Sequence, residues 1–282
     1  MRQIWRFSLA IALLSALSFV PATTATAVPT WAPASSATIH PGVQTFTAGG
    51  QCTTNFVFFD TGGTNDVYIG QAAHCSSTGG PTDTDGCSSP SHPIGTEVTV
   101  GGASKPGVMV YNSWLTMQAV GETNPDICKY NDFALVKLDP ADVAKVNPSV
   151  PHWGGPNGLN SVGTTLLQRV YSYGNSSLRL GLTVLSPKVG ISNGDEGGGW
   201  SHSVSTVTPG IPGDSGSAFL DKSGKALGQL STLNVAVPGG VTNGVGDLRR
   251  ELDYLKAHGS LTGVQLALGT VAFNGNRVPL GL

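Results

Sequence analysis

Glycine and proline interrupt this chain so often that its apolar runs have the length of strands rather than helices. The 282 residues include 39 glycines and 18 prolines, and only 11% are charged. Short strands joined by tight turns suit such a composition better than long helices do. Disorder is the alternative, but a hydrophobic content of 39%, arranged in repeated apolar runs, can bury a core. The pattern therefore predicts an all-β fold.

Strand-sized apolar runs, bounded by Gly, Asn, Asp or Pro, fall into two groups along the chain. The first group is 56–59, 67–69, 97–100, 107–111 and 133–138; the second is 165–173, 180–185, 203–207, 217–220, 226–230 and 264–272. Residues 147–163 hold three prolines and four glycines without apolar periodicity, so we expect them to connect two halves.

One segment indicates a helix near the C-terminus. Residues 247–258 place Leu248, Leu252 and Leu255 on one face. The segment ends in lysine and histidine followed by Gly259, a typical helix stop.

The N-terminus has the three-part layout of a secretory signal peptide. Arg2 and Arg6 precede an apolar run over 7–20, and small residues end at Ala27. A retained membrane anchor is the alternative, but this run of fourteen residues is shorter than the roughly 20 that span a bilayer. We therefore expect cleavage of residues 1–27, an extracellular protein without stable membrane association, and a leader or propeptide-like segment over 28–48.

The formal net charge of −2 excludes one broad class of partner. A mildly acidic chain lacks the basic surface by which proteins bind nucleic acid. We expect a monomer that acts on polypeptides and needs no cofactor.

Four cysteines, Cys52, Cys75, Cys87 and Cys128, predict two disulfides in an oxidising compartment. A zinc site is the alternative. The neighbouring cysteines are 23, 12 and 41 residues apart, without the close pair that metal sites use, so we expect no metal. Spacing alone leaves three pairings open.

Three short motifs contain residues suited to catalysis. His74 ends the sequence QAAHC, where small alanines allow it to face a cleft, and Asp132 precedes the apolar run 133–138, where a buried carboxylate needs a partner. Ser215 lies between glycines in GDSG, which permit a sharp turn that projects the hydroxyl and lets N–H groups converge. Taken singly, each residue has a structural alternative: a core histidine, a capping aspartate and a surface turn.

Together the three residues provide a nucleophile, a general base and a carboxylate that orients the base. The motifs AAHC, NDFALVKL and GDSG, with 58 and 83 residues between the key positions, resemble the chymotrypsin-like (trypsin-like) serine peptidases in both content and order. The resemblance extends over about 49–258. After GDSG the chain continues with Ser217-Ala218, which resembles the bacterial secreted branch of that family.

The resemblance implies a serine endopeptidase that works through an acyl-enzyme. It implies two six-stranded antiparallel β-barrels with the active site between them, plus the C-terminal helix. The peptidase domain would span 49–282, with the first barrel over about 49–150 and the second over about 160–282.

The resemblance also assigns further residues. It implies oxyanion donors from the N–H groups of Gly213 and Ser215, and it matches Ser231 to the serine beside the buried aspartate. It implies a Cys52–Cys75 bridge around the histidine loop, which leaves Cys87 to pair with Cys128. The IVGG-type activation sequence is missing, so the partner of Asp214 stays open.

For substrate selection, the resemblance places Pro209 at the floor of the primary pocket and Ser231, Thr232 and Leu233 in its walls. No acidic residue lies over 209–212 to neutralise a cationic side chain. We therefore expect small or medium apolar residues before the scissile bond. Asp195 and Glu196, in an expected loop over 186–200, are the alternative source of an acid in the pocket.

Two other functions share parts of this pattern. An α/β-hydrolase esterase needs a G-x-S-x-G elbow ahead of its acid and histidine, whereas this chain has Ser217 at the last glycine position and the order His, Asp, Ser. A catalytically inactive binding protein with the protease fold is the remaining alternative, although all three catalytic residue types are present.

Overall fold

The computed structural model describes residues 28–80, 83–236 and 240–279. The predicted signal peptide, 1–27, lies outside these residues. Within them the chain is mostly β, and none of the helices is long and apolar enough to cross a membrane.

The first half of the described chain forms one antiparallel sheet. Its strands are β1 (Gln44–Thr47), β2 (Gly50–Thr53), β3 (Val57–Asp60), β4 (Val67–Ala72), β5 (Glu97–Val100), β6 (Gly107–Asn112) and β7 (Phe133–Lys137). They are ordered β3-β4-β7-β6-β5-β1-β2. Only residues 54–56 separate β2 from β3, so these two strands are parts of one bent segment. Because β3 and β2 lie at opposite ends of the strand order, the sheet curves round to form the first barrel.

The second half forms a closed six-stranded barrel. Its strands are β8 (Arg169–Tyr173), β9 (Pro187–Glu196), β10 (Ser201–Val207), β11 (Ala218–Leu220), β12 (Ala226–Ala236) and β13 (Gly240–Asp247), in the order β10-β13-β12-β11-β8-β9. Together the two halves form the all-β, two-barrel architecture that the sequence predicted.

The chain ends differ from the expected barrel boundaries. Strand β14 (Val264–Leu266) pairs with β3 in the first sheet, not within the second barrel, because buried Val264 packs against the core that contains Phe58. The expected leader 28–48 also contributes structure: it contains β1, and its fully buried Ile39 packs in the core of the first half.

Helix α3 (Leu248–His258) is the one that the sequence predicted, with Asp247 accepting a hydrogen bond from the N–H of Arg250 at its N-cap. Two short helices, α1 (Ser113–Val120) and α2 (Pro125–Tyr130), were not predicted. Each begins with an asparagine cap, Asn112 or Asn124, but neither is long enough to repeat an apolar stripe.

The predicted strand over 180–185 is a turn followed by the 3₁₀ helix Thr183–Leu185 instead, and strand β9 occupies much of the expected loop over 186–200. The apolar side chains of the first segment face solvent: Leu180 is 87% exposed and Leu182 55% exposed. An apolar run forms a strand where its side chains can pack against a core, and these side chains do not.

Candidate active site

His74 and Asp132 are joined by two hydrogen bonds. The Nδ1 atom of His74 lies 2.7 Å from Oδ2 of Asp132, and the backbone N–H of His74 donates to Oδ1 at 2.8 Å. The Ser231 hydroxyl donates to Oδ2 at 2.6 Å. The Asp132 side chain is 4% exposed and that of His74 is 25% exposed, so the acid is buried and the imidazole reaches the surface.

Local structure explains the position of His74. It lies in the 3₁₀ turn Ala73–Ser76, directly after β4, and a disulfide joins Cys75 in this turn to Cys52 in β2. The backbone N–H of Ala73 donates to the carbonyl of Asp132 at 3.0 Å. The histidine is thus fixed from two sides.

The disulfide pairing agrees with the one that the resemblance implied. Cys52 is bonded to Cys75, and Cys87 is bonded to Cys128 in α2. Both clusters of potential metal ligands among the described residues include these bonded sulfurs, which are not available as thiolates.

The turn that carries Ser215 depends on its two glycines. Gly213 and Gly216 have φ values of +92° and +84°, the left-handed region that favours glycine. A Cβ atom on Gly213 would lie 2.3 Å from Oε1 of Gln51, and one on Gly216 would lie 2.5 Å from the carbonyl oxygen of Thr53. The first half of the chain therefore packs directly against the serine turn.

The serine turn leaves donors free. Over 28–80, 83–236 and 240–279, the backbone N–H groups of Gly213 and Ser215 donate no hydrogen bond. The carbonyl of Ser215 accepts from the N–H of Thr53 at 2.8 Å, which ties the serine to β2. No hydrogen bond joins the Ser215 hydroxyl to Nε2 of His74 in this part of the chain, and such bonds often shorten only when substrate binds.

Asp214, next to the serine, is held by two cations. The Arg179 guanidinium donates to Oδ2 at 2.8 Å, and the Lys188 ammonium lies 3.2 Å from the same oxygen. The backbone N–H groups of Ser176 and Ile211 also donate to this carboxylate. The partner that the sequence left open is therefore internal to the chain.

A buried side chain links two of the segments that were expected to bind substrate. Fully buried Asn243 accepts from the N–H of Gly210 at 2.8 Å and donates to the carbonyl of Thr232 at 3.2 Å. It thereby bridges the segment after Pro209 and strand β12. Leu233, which was expected in the wall of the pocket, keeps 41% of its surface exposed.

The acids that the sequence offered as alternatives lie elsewhere. Asp195 bonds to Nδ1 of the fully buried His202 at 2.7 Å and to the Thr164 hydroxyl at 2.7 Å. Glu196 is exposed at the end of β9. The structure therefore gives neither acid a contact with the segment 209–212.

The protonation of His74 reflects opposing effects. Burial alone lowers the pKa of an imidazole, but the charge of Asp132 and its hydrogen bond favour the protonated ring more strongly. The net result is a pKa for His74 above the usual 6.5. The group is suited to accept a proton.

Sequence reasoning did not identify Arg179, Lys188, Gln229, Asn243 or Glu251. No local motif marks them. The available signal was polarity: Gln229 and Asn243 lie within strands, and Glu251 lies close to the apolar face of α3, where polar side chains need buried partners.

The sequence matches no protein-family model and none of the curated proteins. Solved structures do match. Thermobifida fusca protease A aligns with a TM-score of 0.52 at 16% identity, over 82% of this chain and 99% of that one. Nocardiopsis protease aligns with a TM-score of 0.50 at 18% identity, over 81% and 98%.

A glutamic-acid-specific serine protease that uses a histidine triad in substrate binding also aligns, with a TM-score of 0.50 at 15% identity, over 81% of this chain and all of that one. At these low sequence identities the similarity shows the fold alone. The chain has the two-barrel fold of the bacterial chymotrypsin-like serine proteases.

Proposed function

We propose that this protein is a serine endopeptidase in which Ser215 is the nucleophile, His74 the general base and Asp132 the acid that orients the base. The bond of 2.7 Å between Nδ1 of His74 and Asp132 carries the proposal. It holds the proton on Nδ1, so that Nε2 is free to accept one.

The reaction follows from this arrangement. As the Ser215 oxygen attacks the peptide carbonyl, Nε2 of His74 takes the hydroxyl proton and Asp132 stabilises the imidazolium. The unpaired N–H groups of Gly213 and Ser215 donate to the oxyanion. The imidazolium then protonates the leaving amine. A water molecule, deprotonated by the same histidine, attacks the acyl carbon; the bond to the Ser215 oxygen breaks, and the imidazolium returns its proton to that oxygen as the acid leaves.

A fluorophosphonate probe distinguishes an active enzyme from an inactive protein with the same fold. We expect the folded protein to be labelled and to hydrolyse peptides, and Ser215→Ala to abolish both while remaining folded. Ser217→Ala is the matched control, because the buried Ser217 hydroxyl has no partner among the described residues. An unlabelled but folded wild-type protein would establish the inactive alternative.

Secretion belongs to the same proposal. The signal-like sequence over 1–27 and the two disulfides support an extracellular protein. N-terminal sequencing of protein recovered from culture medium should begin at Val28. Retention of the apolar segment in the recovered protein would refute cleavage.

For the residue before the scissile bond, we propose a small or medium apolar side chain. Asn243 occupies the space between Gly210 and Thr232, and the isobutyl group of Leu230 lies beneath: a Cβ atom on Gly210 would be 2.8 Å from it. These contacts favour a shallow site, and the segment 209–212 contains no carboxylate to neutralise a cation.

A peptide library tests this preference. We expect cleavage after alanine-sized residues in the wild type, and Asn243→Gly should raise the kcat/KM ratio for Phe over Ala by roughly 10-fold or more. Asn193→Gly is the control, since the exposed side chain of Asn193 bonds, among the described residues, to serine hydroxyls on β10 alone. Strict cleavage after Arg or Lys would contradict the proposal.

A further inference from the structure

A second carboxyl group is buried behind the catalytic acid. Glu251, in the first turn of α3, is fully buried, and its Oε1 accepts from the backbone N–H of Asp132 at 3.3 Å. The same atom accepts from Nε2 of Gln229 at 3.2 Å. Its other oxygen, Oε2, has no hydrogen-bond partner among the described residues.

Glu251 is part of a network that holds the backbone of Asp132. The Gln229 amide also donates to the carbonyl of Asp132 and accepts from the amide of Asn55. Both backbone groups of the catalytic acid are thus bonded to buried side chains. Asn55 lies at the bend between β2 and β3, and Gln229 lies on β12, so the network crosses from one barrel to the other.

The neighbouring backbone leaves room for these side chains. A Cβ atom on Gly246 would lie 2.5 Å from Oε1 of Glu251, and one on Gly70 would lie 2.0 Å from Oδ1 of Asn55. Glycine at both positions is required by the network.

Glu251 is neutral in this setting. An ionised carboxylate with a bare buried oxygen costs far more than a protonated one, and the facing groups are two other acids, Asp132 and Asp247, and the hydroxyl of Tyr111. Burial first, and then the charge of Asp132, raise the pKa of Glu251 well above its usual 4.5.

We propose that Glu251 is a positioning residue for Asp132: a neutral carboxylic acid that, with Gln229, fixes the backbone of the catalytic acid. This inference rests on the proposed peptidase activity. An uncharged group at this point leaves His74 beside one negative charge instead of two, which keeps the imidazole able to release its proton.

Three variants test the role. Glu251→Gln retains a neutral acceptor, so kcat should stay within about twofold of wild type and the acidic limb of the kcat/KM profile should not move. Glu251→Ala removes the acceptor and should lower kcat by about 10²-fold with little change in KM, because a misplaced triad slows the chemical step. Asp253→Asn, which removes an exposed charge from the same helix, should change neither parameter.

A spectroscopic measurement does not depend on activity. The infrared difference spectrum between wild type and Glu251→Gln at neutral pH should contain the C=O stretch of one protonated carboxyl group. If that band is missing, or the acidic limb of Glu251→Gln moves to lower pH, Glu251 is ionised and the proposal fails. A wild-type protein with this band and no hydrolysis would refute the peptidase instead. Full kcat in Glu251→Ala would also overturn the positioning role. If that variant does not fold, the pH profile of Glu251→Gln and the infrared spectrum test the proposal instead.

Discussion

The candidate site contains two buried aspartates whose surroundings differ in charge. Asp132 contacts an imidazole, a hydroxyl and backbone N–H groups, and its nearest ionisable neighbour besides His74 is the acid Glu251. Asp214 lies between two cations, Arg179 and Lys188. No permanently charged group is bonded to the first aspartate, whereas two cations are bonded to the second.

This contrast separates two tasks. A proton must move to and from His74, so Asp132 needs a partner whose pKa lies near neutrality. Asp214 transfers no proton in the proposed mechanism. It holds the turn that contains Gly213 and Ser215, and a guanidinium, which stays charged at all relevant pH values, gives it a permanent partner.

The largest effect should come from removing the charge of Asp132. Asp132→Asn cannot orient the imidazole in the correct tautomer or stabilise its charged form, so kcat should fall by about 10⁴-fold. Steady-state hydrolysis of a peptide substrate measures it, with circular dichroism to verify folding. A fall of less than tenfold in the folded variant would remove Asp132 from the triad.

A smaller loss should follow from Arg179→Met. Without the guanidinium, Asp214 loses its permanent partner and the turn no longer holds its donors at the oxyanion, so kcat should fall about 10²- to 10³-fold. Arg249→Met, which breaks an exposed pair with Asp253, is the control. Equal activity in both variants would mean that Lys188 alone suffices.

Lys188 should affect stability more than activity. Burial, only partly offset by the charge of Asp214, lowers the pKa of Lys188 to about 8 from the usual 10.5. Between pH 8 and 10.5 the unfolded chain binds more protons than the folded one, so the free energy of unfolding rises with pH. Below pH 8 both states are protonated, and the buried ammonium lowers the free energy of unfolding by about 3 kcal/mol.

Lys188→Met should therefore be more stable than wild type at pH 7, and the difference should shrink as the pH approaches 10.5. Chemical denaturation of both proteins across this range measures it, while Lys222→Met, on an exposed turn, controls for general charge effects. A less stable Lys188→Met variant at pH 7 would show that the ammonium holds Asp214 in place.

The smallest effect concerns the pH profile. Because Asp132 raises the pKa of His74, activity should fall as the pH drops through a value above 6.5, where the imidazole becomes protonated and can no longer accept the serine proton. The acidic limb of kcat/KM measures this value, and Asp132→Asn should move it lower. An unchanged limb in that variant would mean that another group controls it.

The sequence by itself predicted the features that depend on neighbouring residues. Short apolar runs between glycines and prolines predicted an all-β chain, the capped and amphipathic segment that became α3 predicted a helix, and ordered motifs singled out His74, Asp132 and Ser215. Local backbone chemistry is sufficient for such predictions, since a turn or a cap is formed by residues a few positions apart.

Only the tertiary structure determined which buried ionisable groups meet. Glu251 bonds to Asp132 across 119 positions, and Arg179 reaches Asp214 across 35. No local pattern specifies such pairs, because any buried polar group needs a partner and the fold alone decides which one is close. For the same reason the bonds of Asn243 to Gly210 and Thr232 and the pairing of β14 with the first barrel followed from packing between distant segments.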